Sequence, residues 1–79
     1  MINKDDLNYA VIQRLRLVDT SLANTLNVNR QILVDYFGIS MPQASKDLSV
    51  YQNLAPHNMA YDLHIKAYRP RLTFQRVWK

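Results

Sequence analysis

The only glycine in the chain, Gly38, falls directly after an apolar run that ends at Phe37 and just before Ile39-Ser40-Met41-Pro42. Glycine enters the left-handed backbone region without steric cost, so it can end a helix at that point. Ser40 can then cap a new helix whose first turn tolerates Pro42, while Ile39 drops toward the core between the two. The stretch 28–51 therefore predicts two helices joined by a tight turn.

Each half of that unit has its own local signals. Asn29 can cap a helix over Arg30 to Phe37 with Ile32, Leu33 and Phe37 facing inward. In the next helix Ala44, Leu48 and Tyr51 share one face at i, i+4 and i+7, and small Ala44 permits a close approach between helices. The opposite face carries Lys46, Ser49 and Asn53, flanked by Gln43 and Val50, and the helix ends before Pro56.

Upstream, Leu7, Val11, Ile12, Leu15, Val18 and Leu22 recur at helical spacing and predict a first helix capped by Asp5 or Asp6. Residues 24 to 29 read as a connector, with a short extended segment at Leu26 to Val28. Beyond Pro56 the period approaches two. Met59-Ala-Tyr-Asp and Ala67-Tyr-Arg-Pro-Arg-Leu-Thr-Phe predict strands, separated by a loop over Leu63-His-Ile-Lys. Pro70 argues for an edge position of the second strand. The order of three helices and a β-hairpin predicts an α+β, mainly α, winged helix-turn-helix, taken as one domain over 1–79.

Composition excludes more than it selects. Seventy-nine residues, 48% of them hydrophobic, suffice for one small core. With no cysteine there is neither a disulfide framework nor a thiolate metal site. His57 and His64 have no ligand spacing, no serine has a base at a useful distance, and one glycine cannot build a phosphate loop. Asp5 and Asp6 read as helix N-terminal charges rather than an acid–base pair. Neither an enzyme, a metal site nor a cofactor is expected. No secretory signal or apolar run long enough to span a bilayer is seen, so a cytoplasmic, nucleoid-associated protein without membrane contact is expected.

The net charge of +4 is unevenly placed. After Asp62 there is no acidic residue, whereas Lys66, Arg69, Arg71, Arg76 and Lys79 supply half of the ten Lys and Arg. A polyanion suits such a segment, and a solvated basic surface is the plainer alternative. Gln43 can make a bidentate contact with adenine, Ser45 and Ser49 can meet phosphates or bases, and Lys46 can reach guanine or phosphate. Amides behind Ser40 add a backbone phosphate contact. Each of these residues could equally be part of a solvated helix face. In the hairpin, Arg69 and Arg71 are two apart and would share one side of a strand, with Lys66 just before them; edge protection by charge is the competing use. Tyr61 and Tyr68 read as core aromatics between hairpin and third helix.

Val28-Asn-Arg30, Phe37-Gly-Ile-Ser40, Gln43-Ala-Ser-Lys-Asp-Leu-Ser-Val-Tyr51, Ala55-Pro56, Tyr61-Asp62, Lys66-Ala-Tyr-Arg-Pro70 and Phe74 together carry a resemblance. Over about residues 12 to 74 the chain resembles the N-terminal domain of WYL-domain transcriptional repressors of bacterial phage-defence islands, of the kind that control BREX and CBASS operons. The resemblance implies a homodimeric, sequence-specific domain that binds double-stranded DNA, with an inverted-repeat operator. It puts the third helix in the major groove and the wing along the backbone, so that Ser40, Gln43, Ser45 and Lys46 meet DNA, with Ser49 beside them. Arg30, Lys66, Arg69 and Arg71 are the expected backbone contacts. The WYL sensing domain is absent, so the chain reads as the N-terminal part of a longer regulator or as a free-standing one. Leu72, Phe74, Val77 and Trp78 then suggest a connection to a further domain or a dimer surface. A winged-helix protein-interaction module is the alternative, and an antitoxin or excision factor a third.

Overall fold

The computed structural model describes residues 3–78. A 3₁₀ turn, Lys4–Asp6, precedes α1 (Tyr9–Ala23), α2 (Arg30–Phe37) and α3 (Met41–Leu54), and the antiparallel strands β1 (Met59–Asp62) and β2 (Ala67–Pro70) follow.

The turn between α2 and α3 forms as the sequence predicts. Asn29 Oδ1 accepts from the Ile32 amide at 3.1 Å to start α2. Gly38 ends it in the left-handed region at φ 68°, its amide donating to Val34. Ser40 Oγ accepts from the Gln43 amide at 3.2 Å and starts α3. The first helix begins later than the aspartates suggest. Asp5 and Asp6 belong to the 3₁₀ turn, and Asn8 caps α1 by accepting from the Val11 amide at 2.9 Å. Asparagine provides the same acceptor as aspartate, and Leu7 packs on the core from outside the helix.

One apolar cluster joins the elements: Leu15, Val18 and Leu22 of α1, Val28, Leu33 of α2, Ala44, Leu48 and Tyr51 of α3, then Ala55 and Met59. Ile32 and Phe37, expected inward with Leu33, are only half-buried. Into this cluster α1 and α3 bring two buried carboxylates, Asp19 and Asp47. Asp47 is held by a two-point contact from Arg14 Nε and Nη2 and by Gln43 Nε2 at 2.9 Å. Asp19 accepts from the Tyr51 hydroxyl and from the Val77 and Trp78 amides, with Arg76 at 3.6 Å. These bonds supply the partners that a buried charge needs.

The hairpin departs from expectation in two places. Its second strand stops at Pro70 rather than continuing to Phe74: the Arg71 amide still donates to the Asn58 carbonyl in register with the hairpin, and beyond it the Phe74 amide turns back onto the Arg71 carbonyl. Nor is β2 free on its outer side. Val28 and Tyr68 exchange both backbone hydrogen bonds, at 2.9 and 2.8 Å, so the connector before α2 acts as a one-residue third strand. Pro70 is tolerated because it sits at the end of β2, past that bridge. After β2, Phe74, Val77 and Trp78 pack on the core while Leu72 stays exposed. Asn58 fixes this last segment by accepting from the Gln75 amide and donating to its carbonyl.

Candidate nucleic-acid interface

The burial of Ala44, Asp47, Leu48 and Tyr51 against α1 and α2 turns the opposite side of α3 outward. Pro42, Lys46, Ser49 and Asn53 occupy that side and are exposed. Helical spacing puts Met41 and Ser45 on one flank and Gln43 and Val50 on the other. The two flanks have different surroundings.

On the first flank Ser45 Oγ accepts from Arg30 Nη1 at 3.3 Å, linking α3 to the first residue of α2. Beside this contact lies a groove of about 420 Å³, lined by Asn29, Arg30, Gln31, Met41, Ser45, Leu48, Tyr61, Lys66 and Tyr68. It brings together three of the expected DNA contacts, Arg30, Ser45 and Lys66. Tyr61 and Tyr68 meet edge to face at 5.1 Å between ring centres. Tyr68 is half-buried as anticipated, whereas Tyr61 is exposed in the groove rather than in the core.

On the second flank Gln43 is tied down. Its amide nitrogen donates to the Asp47 carboxylate that Arg14 holds. Ser40 spends its hydroxyl on the α3 cap. The two arginines of the wing also separate. Arg69 stands on β2 opposite Ala60 and pairs with Asp62 at 3.3 Å. Arg71 lies beyond the strand, with Nη1 3.5 Å from the Pro56 carbonyl oxygen. Arg69 and Arg71 thus hold different partners, toward the turn and the open end of the hairpin, with β2 ending between them at Pro70. Arg30, Lys46 and Lys66 take part in no ion pair among the described residues.

Sequence reasoning did not find the groove as a unit, because its walls come from segments some 36 positions apart, Arg30 and Lys66. The helical phase of α3 nevertheless separates Ser45 from Gln43, a distinction available from residue spacing alone. Among the described residues no cluster of three or more His, Cys, Asp or Glu could hold a metal ion, and no helix is long and apolar enough to cross a membrane.

Three helices, the second and third joined by a tight turn, followed by a β-hairpin define a winged helix-turn-helix domain. Residues 10–78 match the BrxR transcriptional regulator winged helix-turn-helix domain. The chain belongs to that family. It is similar to proteins named DNA-binding transcriptional repressor CapW: 47% identical over 66 residues to one from Escherichia coli (strain KTE188), and 41% over 66 residues to one from Pseudomonas aeruginosa. A third, from Stenotrophomonas maltophilia, is 39% identical over 67 residues. These matches cover 84, 84 and 85% of this chain but only 22% of each relative, so the chain spans about a fifth of their length.

Proposed function

We propose that this chain is the double-stranded-DNA-binding domain of a transcriptional repressor, reading the major groove with α3 and acting without catalysis or cofactor. The observation that carries this reading is the outward face of α3, where exposed Lys46 and Ser49 stand next to a flank bearing Arg30 and Lys66. A helix seated in the major groove with cations on one side combines base contacts with phosphate contacts. Family membership and relatives named as DNA-binding repressors support the same use. A domain of this size covers one half-site, so a homodimer on an inverted repeat is part of the proposal. So is action in the bacterial cytoplasm on nucleoid DNA.

The test is a footprint on the DNA upstream of the protein's own gene, followed by titration of the protected duplex at several salt concentrations. A protected inverted repeat with affinity that falls steeply as salt rises is expected, since bound cations release counterions from phosphates. An absence of protection, with weak and salt-independent retention, would overturn the proposal in favour of a protein-interaction module.

A further inference from the structure

We infer that the groove between α2, α3 and the hairpin seats one backbone nucleotide unit of the bound duplex, its phosphate held between Arg30 and Lys66. Ser45 is the residue that positions Arg30. The inference rests on the DNA-binding reading above and specifies where one strand would run.

Four observations meet here. First, the groove has two cations and no carboxylate in its lining, so its charge suits an anion. Second, neither cation is neutralised by an ion pair among the described residues, in contrast to Arg14, Arg69 and Arg76. Third, the lining between them includes Met41, Leu48, Tyr61 and Tyr68, an apolar surface suited to a deoxyribose next to a phosphodiester. Fourth, Lys66 has a left-handed backbone at φ 53°, a place in a hairpin turn that glycine fills without strain. The chain accepts that strain and keeps a long cationic side chain at the groove wall.

The Ser45 contact changes the meaning of that serine. Its hydroxyl accepts from Arg30 Nη1 and so orients a guanidinium whose remaining N–H groups are available to a phosphate oxygen. Ser45 thus acts through Arg30 and reads no base. Lys46, one residue on, is left as the neighbouring side chain of α3 that reaches the bases.

Salt titrations of this chain with the footprinted duplex test the assignment. Arg30→Ala and Lys66→Ala should each lower the slope of log affinity against log salt by about one. Arg30→Lys should restore the slope. Ser45→Ala should weaken binding several-fold in the parent chain and have no further effect in the Arg30→Ala background. A duplex carrying one neutral methylphosphonate at the seated phosphate should bind the parent weakly and lose no more with Arg30→Ala. Thymidine monophosphate should not compete at concentrations comparable to those of duplex.

Unchanged slopes in Arg30→Ala and Lys66→Ala, with parent binding still steeply salt-dependent, would overturn this inference and leave the DNA-binding reading standing. Additive effects of Ser45→Ala and Arg30→Ala would overturn the positioning role. Efficient competition by the mononucleotide would make the groove a small-molecule site instead. Absence of salt-dependent binding by the parent chain would defeat the underlying reading itself.

Discussion

The Tyr51 hydroxyl donates to the buried carboxylate of Asp19 at 2.6 Å and so ties the middle of α3 to α1. Asn58 donates to the same hydroxyl at 2.9 Å, and Asp19 also accepts the Val77 and Trp78 amides. One phenol thereby links α3, the first helix and the segment that follows β2. Tyr51→Phe would leave Asp19 and Asn58 each short of one partner inside the core. It should cost about 1–3 kcal/mol of stability, measured by urea unfolding.

The same phenol gives the fold an alkaline limit. Burial first, and then the hydrogen bond to Asp19, push the Tyr51 hydroxyl well above the ordinary tyrosine value of 10.0. Below that value the proton is present in folded and unfolded chains alike, and the contribution to stability is complete. Above it the unfolded chain releases the proton while the folded chain retains it, so stability falls as pH rises. The melting temperature should drop above pH 10.0, and less steeply in Tyr51→Phe. Ionisation of one of the five tyrosines should coincide with unfolding when tyrosinate absorbance is followed.

Arg14 and Asp47 form the second polar link between α1 and α3. Arg14→Ala would leave a fully buried carboxylate with only the Gln43 amide, and should cost about 3 kcal/mol. Exchanging both partners for apolar residues, Arg14→Met with Asp47→Leu, should recover most of that loss in the same unfolding assay.

Gly38 isolates a backbone effect. A Cβ built there meets nothing within 4 Å, yet φ is 68°. Gly38→Ala should therefore cost only the left-handed strain, about 1–2 kcal/mol, and Gly38→Asn less. A larger loss in thermal unfolding would point to packing that the present geometry lacks.

Gln43 and Lys46 should separate in a binding assay. Gln43 is bonded to Asp47, whereas Lys46 is exposed on the outward face of α3. Lys46→Ala should weaken operator binding by about 1–3 kcal/mol, as for a base or phosphate contact. Gln43→Ala should cost less affinity and about 1 kcal/mol of stability. The opposite ranking would return Gln43 to the base edges.

Much of this was legible from short-range signals. Asn29, Gly38 and Ser40 mark their helix ends through bonds that span three or four residues, and such bonds can be read locally. The start of α1 was missed because Asn8 and the two aspartates carry equivalent acceptors, and because Asn3 caps a separate 3₁₀ turn around those aspartates. Asp19 and Asp47 lie on the apolar stripes of their helices, three or four positions from Leu15, Leu22, Ala44 and Tyr51. That misplacement of a charge was the available sign of a polar core. The course of the segment after β2 depends on the Asn58 side chain, which holds Gln75, a partner that no periodicity reveals.

The pairing of Val28 with Tyr68 has a consequence for how the groove keeps its width. Val28 directly precedes Asn29, the cap of α2, and Tyr68 lies two residues after Lys66. Arg30 and Lys66 are therefore each two residues from the same pair of main-chain hydrogen bonds. Their spacing is gauged by the backbone, as by a caliper, so a change of side chain alters the lining of the groove without resetting its span.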